Sequence, residues 1–163
     1  MEKLEKDILG ILSEDCRYPA KKIAVMLGET EETVEKTIRS MEARGLIVKY
    51  TAIVNLESED DELVEALIEV KVTPQKGFGF DRVAEEIAGY PEVKNLYLMS
   101  GAYDLAVIIE GKSLKSISRF VSERISTFDC VLSTATHFIL KKYKIEGAAT
   151  RNSDEVRRLS VQP

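Results

Sequence analysis

The chain has few of the residues on which metal and disulfide chemistry depends. Its 163 residues include one histidine and two cysteines, and Cys16 and Cys130 lack any metal-ligand spacing. We therefore expect no metal site, no cofactor, a reducing cytoplasmic setting, and thiols that act as small buried side chains. No apolar run approaches the roughly 18 residues of a membrane span, and the charged N-terminus lacks a signal-peptide core. No membrane partner is expected.

An excess of basic residues is also missing. The chain carries 23 basic and 28 acidic residues, a net charge of −5. Residues 1–52 alone contain 9 basic and 10 acidic residues, a net charge of −1. Because phosphate neutralisation supplies most non-specific DNA affinity, this balance is evidence against strong DNA binding by a single chain. A basic surface must be local, or multiplied by oligomerisation.

Three short amphipathic helices are nevertheless predicted in the first 45 residues. Apolar spacing predicts helices over about Leu4–Ser13 and Ala20–Leu27, and Thr30 is a suitable N-cap for a third that ends near Gly45. Gly28 suits the left-handed end of the second helix. Two helices joined by a short glycine-containing turn indicate a helix-turn-helix, whose second helix can enter the DNA major groove.

The alternative is an ordinary three-helix bundle, which needs the same apolar stripes. The β-branched run Leu46–Val54 favours DNA binding, because it predicts a strand after the bundle, as in strand-linked DNA-binding domains. If the third helix faces DNA, Thr33, Lys36 and Arg39 are candidates for base edges or phosphates. The full set of candidate DNA contacts is Lys21, Lys22, Thr30, Thr33, Lys36, Thr37, Arg39 and Ser40. A solvated surface of mixed charge is the competing interpretation.

A second domain is predicted beyond the acidic segment Glu57–Glu62. The expected elements are strand Leu63–Val72, helix Phe80–Ala88, strands Val93–Ser100 and Asp104–Glu110, helix Ser113–Ser126 and strand Val131–Leu140. The second of these helices should direct Leu114, Ile117, Val121 and Ile125 inward. This β-α-β-β-α-β order is that of a ferredoxin-like sandwich. Its uncovered sheet face needs a partner, so we expect a homodimer.

The predicted fold class is therefore α+β, with an N-terminal three-helix domain joined by a strand to a C-terminal ferredoxin-like sandwich. The predicted divisions are a helix-turn-helix domain over 1–52, a linker strand and acidic loop over 53–62, an effector-binding and oligomerisation domain over 63–146, and a polar tail over 147–163.

Two segments carry a resemblance to a known family. Ser100-Gly101-Ala102-Tyr103-Asp104 and the later Val131–Phe138 resemble the Lrp/AsnC family of feast/famine regulators, over roughly residues 1–146. The resemblance implies double-stranded DNA as a partner and an amino acid or similar small effector bound near the Gly-x-Tyr-Asp hairpin. It also implies dimers that often assemble as tetramers or octamers. One departure is Thr37, where the family usually carries an arginine.

The resemblance makes Gly101, Tyr103 and Asp104 the effector-site candidates, with Thr134 and Thr136 as weaker ones. Asp104 can pair with an α-ammonium group, and Gly101 leaves the backbone accessible to a carboxylate. In the alternative interpretation this is only a hairpin turn, in which Gly101 supplies a positive φ and Asp104 caps the turn.

Three functions compete at this point. The leading hypothesis is a DNA-binding regulator that responds to an amino acid. The second is an effector-binding or assembly module with weak or no DNA binding. The third is a sirohaem-decarboxylase-like enzyme, but the lone His137 on a predicted strand is typical of a structural residue. We find no nucleophile–base pair, paired carboxylates or phosphate loop, so no enzyme is expected.

Overall fold

The computed structural model describes residues 2–54, 63–74, 77 and 79–150. These residues belong to two compact units, which divide between Ile53 and Val54. The predicted acidic loop, and residues 151–163 of the predicted tail, lie outside the described residues. Within the described ranges, every helix is too short or too polar to cross a membrane.

The first unit consists of three helices around a small core. They are α1 (Lys3–Glu14), α2 (Ala20–Leu27) and α3 (Glu31–Ala43). Their apolar stripes meet in a cluster formed by Ile8, Ile23, Ala24, Val34 and Met41. Gly28 ends α2 with a φ of 71°, a left-handed conformation that glycine adopts without steric cost.

The strand expected over Leu46–Val54 is not formed in the described part of the chain. The amide groups of Leu46 and Ile47 both donate to the carbonyl of Met41, at 2.8 and 3.2 Å, and so close the end of α3. Residues 48–54 have no regular secondary structure and are exposed. A strand requires a hydrogen-bonding neighbour, and the described part of this chain pairs none with the segment. The prediction rested on β-propensity alone, and it is wrong for one copy of the chain by itself.

The second unit confirms the predicted ferredoxin-like order. Its main elements are β1 (Val64–Val72), α4 (Asp81–Ala88), β2 (Val93–Leu98), β3 (Leu105–Gly111), α5 (Leu114–Glu123) and β4 (Val131–Phe138). The four strands form an antiparallel sheet in the order β2-β3-β1-β4. Alternate residues of β1 and β3, among them Ile68, Val70 and Val107, are buried beneath α4 and α5.

Helix α5 approaches the sheet closely where β3 ends. A Cβ atom at Gly111 would lie 2.8 Å from the hydroxyl oxygen of Ser116 and 3.0 Å from Ile117 Cγ1, so only glycine fits without movement. Ile117 and Phe120 are buried on the inner side of this helix. Leu114, predicted to face inward, is 55% exposed. It is the first residue of the helix, ahead of the turn that meets the sheet.

The two cysteines differ in environment. Cys130 is buried, as expected, but Cys16 is exposed. The prediction was wrong for Cys16 because it lies in the connection between α1 and α2 and not on a packed face.

A small hairpin replaces the start of the predicted tail. Strand β5 (Lys144–Ile145) pairs with β6 (Ala148–Ala149). The two residues between them, Glu146 and Gly147, have φ values of 44° and 86°, as a two-residue turn of the type I′ class requires. The folded unit therefore extends to Thr150, which is buried, and the tail prediction was wrong for residues 147–150.

Candidate DNA-binding and effector sites

Three threonine hydroxyls organise the beginning of α3. Thr30 is the N-cap, and its hydroxyl oxygen accepts a 3.2 Å hydrogen bond from the Thr33 amide. The hydroxyls of Thr30 and Thr33 lie 2.8 Å apart, and Thr37 donates to the Thr33 carbonyl at 2.8 Å. The Thr30 cap stabilises the helix, and the hydroxyls of Thr33 and Thr37 are satisfied by bonds within α3. Thr37, where the family usually has arginine, is half-buried.

The cations of α3 are paired with acidic residues on the same helix. Lys36 Nζ lies 3.0 Å from Glu32 Oε1, and Arg39 Nη2 lies 3.3 Å from Glu35 Oε2. Both pairs have the i, i+4 spacing and are exposed, so each contributes only about 0.3–0.5 kcal/mol. A phosphate can replace either carboxylate at that small cost. Ser40 is exposed on the same helix.

The remaining predicted DNA contacts lie at the beginning of α2. Lys21 and Lys22 are both exposed. The Lys22 ammonium lies 3.9 Å from the centre of the Tyr18 ring, a cation–π contact that holds the amine at the surface. The candidate DNA residues are thus distributed over two helices, as they are in helix-turn-helix domains.

Sequence reasoning did not count Arg17, in the connection between α1 and α2, among the DNA contacts. Its guanidinium donates to both carboxylate oxygens of Asp15, at 2.8 and 2.9 Å, and its amide donates at 3.0 Å. The side-chain hydrogen bonds from Arg17, followed by the bond from its amide, lower the pKa of Asp15 to about 2. The spacing of Asp15 and Arg17, two residues apart, was the feature of the sequence that could have predicted this ion pair. Arg17 is exposed, but Asp15 balances its charge.

The predicted effector residues Gly101, Tyr103 and Asp104 lie in the connection between β2 and β3. Asp104 is bound firmly to the sheet: its amide donates to the Val70 carbonyl at 3.0 Å, and its Oδ2 accepts from the Val72 amide at 2.8 Å. The Asp104 side chain therefore caps the end of β1, which differs from the alternative interpretation, in which it caps its own hairpin turn. Its carboxylate retains a negative charge and a second oxygen for another donor.

Gly101 does not supply a positive φ, and that part of the alternative was wrong. A Cβ atom at Gly101 would meet nothing within 4 Å. The backbone at Gly101 is therefore open to an external group. Tyr103, two residues later, is half-buried.

Thr134 and Thr136 lie on β4, opposite Val70 and Ile68 of β1. They are half-buried and belong to the helix-covered side of the sheet. Thr134 is in the same cross-strand row as Val70 and Leu105, the residue after Asp104. The register thus brings Thr134 to the same end of the sheet as Asp104, while Thr136 lies two residues further along β4.

The other sheet face carries a mixture of apolar and charged side chains. Leu67 is paired with Ile108 and His137, and Ala106, only 5% exposed, is paired with Tyr97. His137 Nε2 lies 3.4 Å from Glu69 Oε1. In the described ranges no cluster of histidine, cysteine and acidic residues could hold a metal ion.

Known proteins resemble this chain over nearly its whole length. The Lrp/AsnC ligand binding domain family matches residues 65–149. The HTH-type transcriptional regulator YugG of Bacillus subtilis is 46% identical over 160 residues, which cover 98% of this chain and 96% of YugG. The regulator FL11 of Pyrococcus horikoshii is 32% identical over 144 residues, which cover 88% and 92% of the two chains.

Solved structures share the fold. AsnC of E. coli aligns with a TM-score of 0.67 and 20% identity, over 89% of this chain and 95% of AsnC. A transcriptional regulator of Neisseria meningitidis, solved as a complex with L-Met, aligns with a TM-score of 0.66 and 21% identity, over 88% and 93% of the two chains. Because the family model covers more than half of the chain, and YugG is 46% identical over 98% of it, the chain belongs to the Lrp/AsnC family of transcriptional regulators.

Proposed function

We propose that the protein binds double-stranded DNA through α3 and that an amino acid modulates this binding. The observation that carries the DNA assignment is an exposed, threonine-capped helix, placed after a glycine turn, that presents Lys36 and Arg39. Lys21 and Lys22 supply further cations at the start of the preceding helix. Regulation by DNA binding also implies a cytoplasmic protein and requires no catalytic step.

The effector site we propose is the end of the sheet that carries Gly101, Tyr103, Asp104 and Thr134, with Thr136 beside it. Asp104 offers a fixed carboxylate for an α-ammonium, and the open backbone at Gly101 offers access for a carboxylate. The L-Met complex of the Neisseria relative supports an amino acid as the ligand class.

The assembly we propose is a homodimer through the uncovered sheet face, able to associate further into tetramers or octamers. The support is the apolar content of that face, with Leu67, Ile108 and Tyr97 on neighbouring strands. A dimer presents two copies of α3, so weak individual contacts with a two-fold symmetric site act together.

The DNA assignment is tested by fluorescence anisotropy with a promoter fragment from the protein's own locus. We expect Lys36→Gln/Arg39→Gln to weaken binding by about tenfold or more, because a lost bidentate base contact is worth about 1–3 kcal/mol and a lost phosphate contact weakens binding further. The matched control is Lys3→Gln/Lys6→Gln, which removes two exposed cations at the same spacing from α1. Equal affinities for the two variants, or no wild-type binding at low salt, would contradict the proposal.

The effector site is tested by thermal melts in the presence of each of the common amino acids. Asp104→Asn retains an oxygen that can accept from the Val72 amide but removes the charge. We expect it to fold and to lose the ligand-induced rise in Tm that the wild type shows. In the wild type, a ligand at 100 Kd should raise the free energy of unfolding by about 2.7 kcal/mol. Asp129→Asn, which removes an exposed carboxylate shortly before β4, should retain that rise. A rise retained in Asp104→Asn would refute the site.

A second candidate function is an effector-binding assembly module with little DNA affinity. The pairing of both α3 cations with Glu32 and Glu35 favours it. Amino-acid-dependent stabilisation without DNA binding, in the same two experiments, would select this alternative.

A further inference from the structure

The segment after β4 forms an exposed basic corner on the second unit. We define the basic corner as Leu140–Lys144, which contains three lysines and no acidic residue. Leu140 is 96% exposed and Tyr143 is 68% exposed. Neither side chain packs in the core of the second unit, so neither residue is needed there for the stability of the core.

The backbone of the basic corner is held in place from both sides. On one side, the Ile139 amide donates to the Glu65 carbonyl at 2.9 Å and continues the pairing of β4 with β1. On the other, the β5–β6 hairpin returns the chain, and the Thr150 amide donates to the Tyr143 carbonyl at 3.2 Å. The Thr150 hydroxyl also donates to the Lys142 carbonyl. The side chains therefore project from an ordered platform and not from a frayed end.

Charge is distributed unevenly over the three lysines. Lys142 is half-buried and paired with Glu65, so its charge is compensated. Lys141 and Lys144 are exposed and form no ion pair within the described ranges of the chain. The Lys141 ammonium lies 5.5 Å from the centre of the Tyr143 ring. The nearest acidic residue in sequence, Glu146, lies in the β5–β6 turn and forms no ion pair with either lysine in the described ranges.

We propose that the basic corner is a second DNA-contacting surface, which binds the phosphate backbone of DNA that flanks the operator. Two uncompensated ammonium groups and an exposed tyrosine hydroxyl are donors of the kind that contact phosphates. The helix-turn-helix domain has a net charge of −1, so cations on the second unit would add to its low affinity for phosphates. The inference rests on the proposed DNA-binding function and adds that the effector domain itself contacts DNA.

The test compares full-length Lys141→Gln/Lys144→Gln with the wild type on two promoter fragments, one limited to the operator and one extended on both sides. We expect equal affinity for the short fragment and weaker binding of the variant to the long one. On the long fragment, the slope of log K against log salt should fall by about 0.9 for each phosphate that the variant no longer neutralises. Between 50 and 200 mM salt, that is a difference of about threefold to fourfold per phosphate.

The matched control is Lys112→Gln/Lys115→Gln, which removes two exposed lysines at the same spacing from the same unit. It should retain the wild-type slope on the long fragment. An equal reduction of the slope in both variants would show that only net charge matters and would overturn the assignment. So would a change in assembly mass, measured by light scattering, without a change in the salt slope, because the corner would then contact another copy of the chain. Absence of wild-type binding to either fragment would instead refute the proposed function.

Discussion

At the scale of single residues, the pair formed by Glu5 and Arg44 joins the first helix to the end of the third. Glu5 is buried, accepts a 3.1 Å hydrogen bond from the Glu2 amide, and is bonded to the Arg44 guanidinium. Burial raises the pKa of the Glu5 carboxyl, but the Glu2 amide and Arg44 together outweigh it, so the net pKa is lowered. A buried charge of this kind is stable only while its partners remain.

We expect Glu5→Gln to lower the Tm at neutral pH. Because the folded pKa lies below the usual value of 4.5, the charged carboxylate stabilises the fold above about pH 4.5 and loses that effect as the pH falls through the folded pKa. The difference in Tm between wild type and variant should therefore shrink on acidification. Thermal melts from pH 3 to pH 7 measure it, with Asp7→Asn, an exposed carboxylate of the same helix, as control. A difference that is independent of pH would contradict this account.

At the scale of elements, the acidic residues at the beginning of α3 stabilise the helix. Glu31 and Glu32 lie in its first turn, where negative charge is favoured by the helix dipole. The Thr30 hydroxyl satisfies one of the free amides at the same end. Features that are unfavourable for DNA thus contribute to the stability of the helix that would contact it.

Thr30→Ala should destabilise the first unit by about 1 kcal/mol, the typical effect of losing an N-cap side chain. Thr30→Ser retains the hydroxyl oxygen and should stay within a few tenths of a kcal/mol of the wild type. Chemical denaturation monitored by far-UV circular dichroism provides both values. Equal destabilisation by alanine and serine would indicate that the methyl group, and not the cap, is what matters.

The elements also show why sequence reasoning succeeded for some features and failed for others. The alternation in β1 and the helical spacing in α4 and α5 are local patterns, and each led to a correct element. The segment 46–54 has equally strong β-propensity, but strand formation depends on a neighbour that no local pattern encodes. For the site, residue types came from the family resemblance, whereas the bond from the Val72 amide to Asp104 joins residues that are 32 positions apart.

At the scale of the whole molecule, the sheet separates two environments. One face is covered by α4 and α5, and the other presents Leu67 and Ile108 from adjacent strands. Burial of this second face between two copies would remove apolar surface from water, at about 25 cal/mol per Å². Assembly, and with it the number of helices that can meet DNA together, would then depend on a surface remote in sequence from α3.

Leu67→Lys should reduce the assembly to a monomer, because it places a charge at the centre of the proposed interface. Size-exclusion chromatography with light scattering measures the mass, and circular dichroism confirms that the variant is folded. Leu114→Lys introduces the same charge at an exposed position on α5 and should leave the mass unchanged. Wild-type mass in the Leu67→Lys variant would rule out this face as the interface.

The ion pairs on α3 have a consequence for how the protein searches a genome. Each phosphate that approaches Lys36 or Arg39 competes with a carboxylate already in place. In the proposed DNA complex, at about 0.3–0.5 kcal/mol for each pair, random DNA would be held about twofold less tightly per cation than by an unpaired helix. A correct operator offsets this loss through base contacts, whereas random sequence does not. The acidic residues would thereby shorten the time that the protein spends bound to non-operator DNA. More of the protein would then be free to bind its operators.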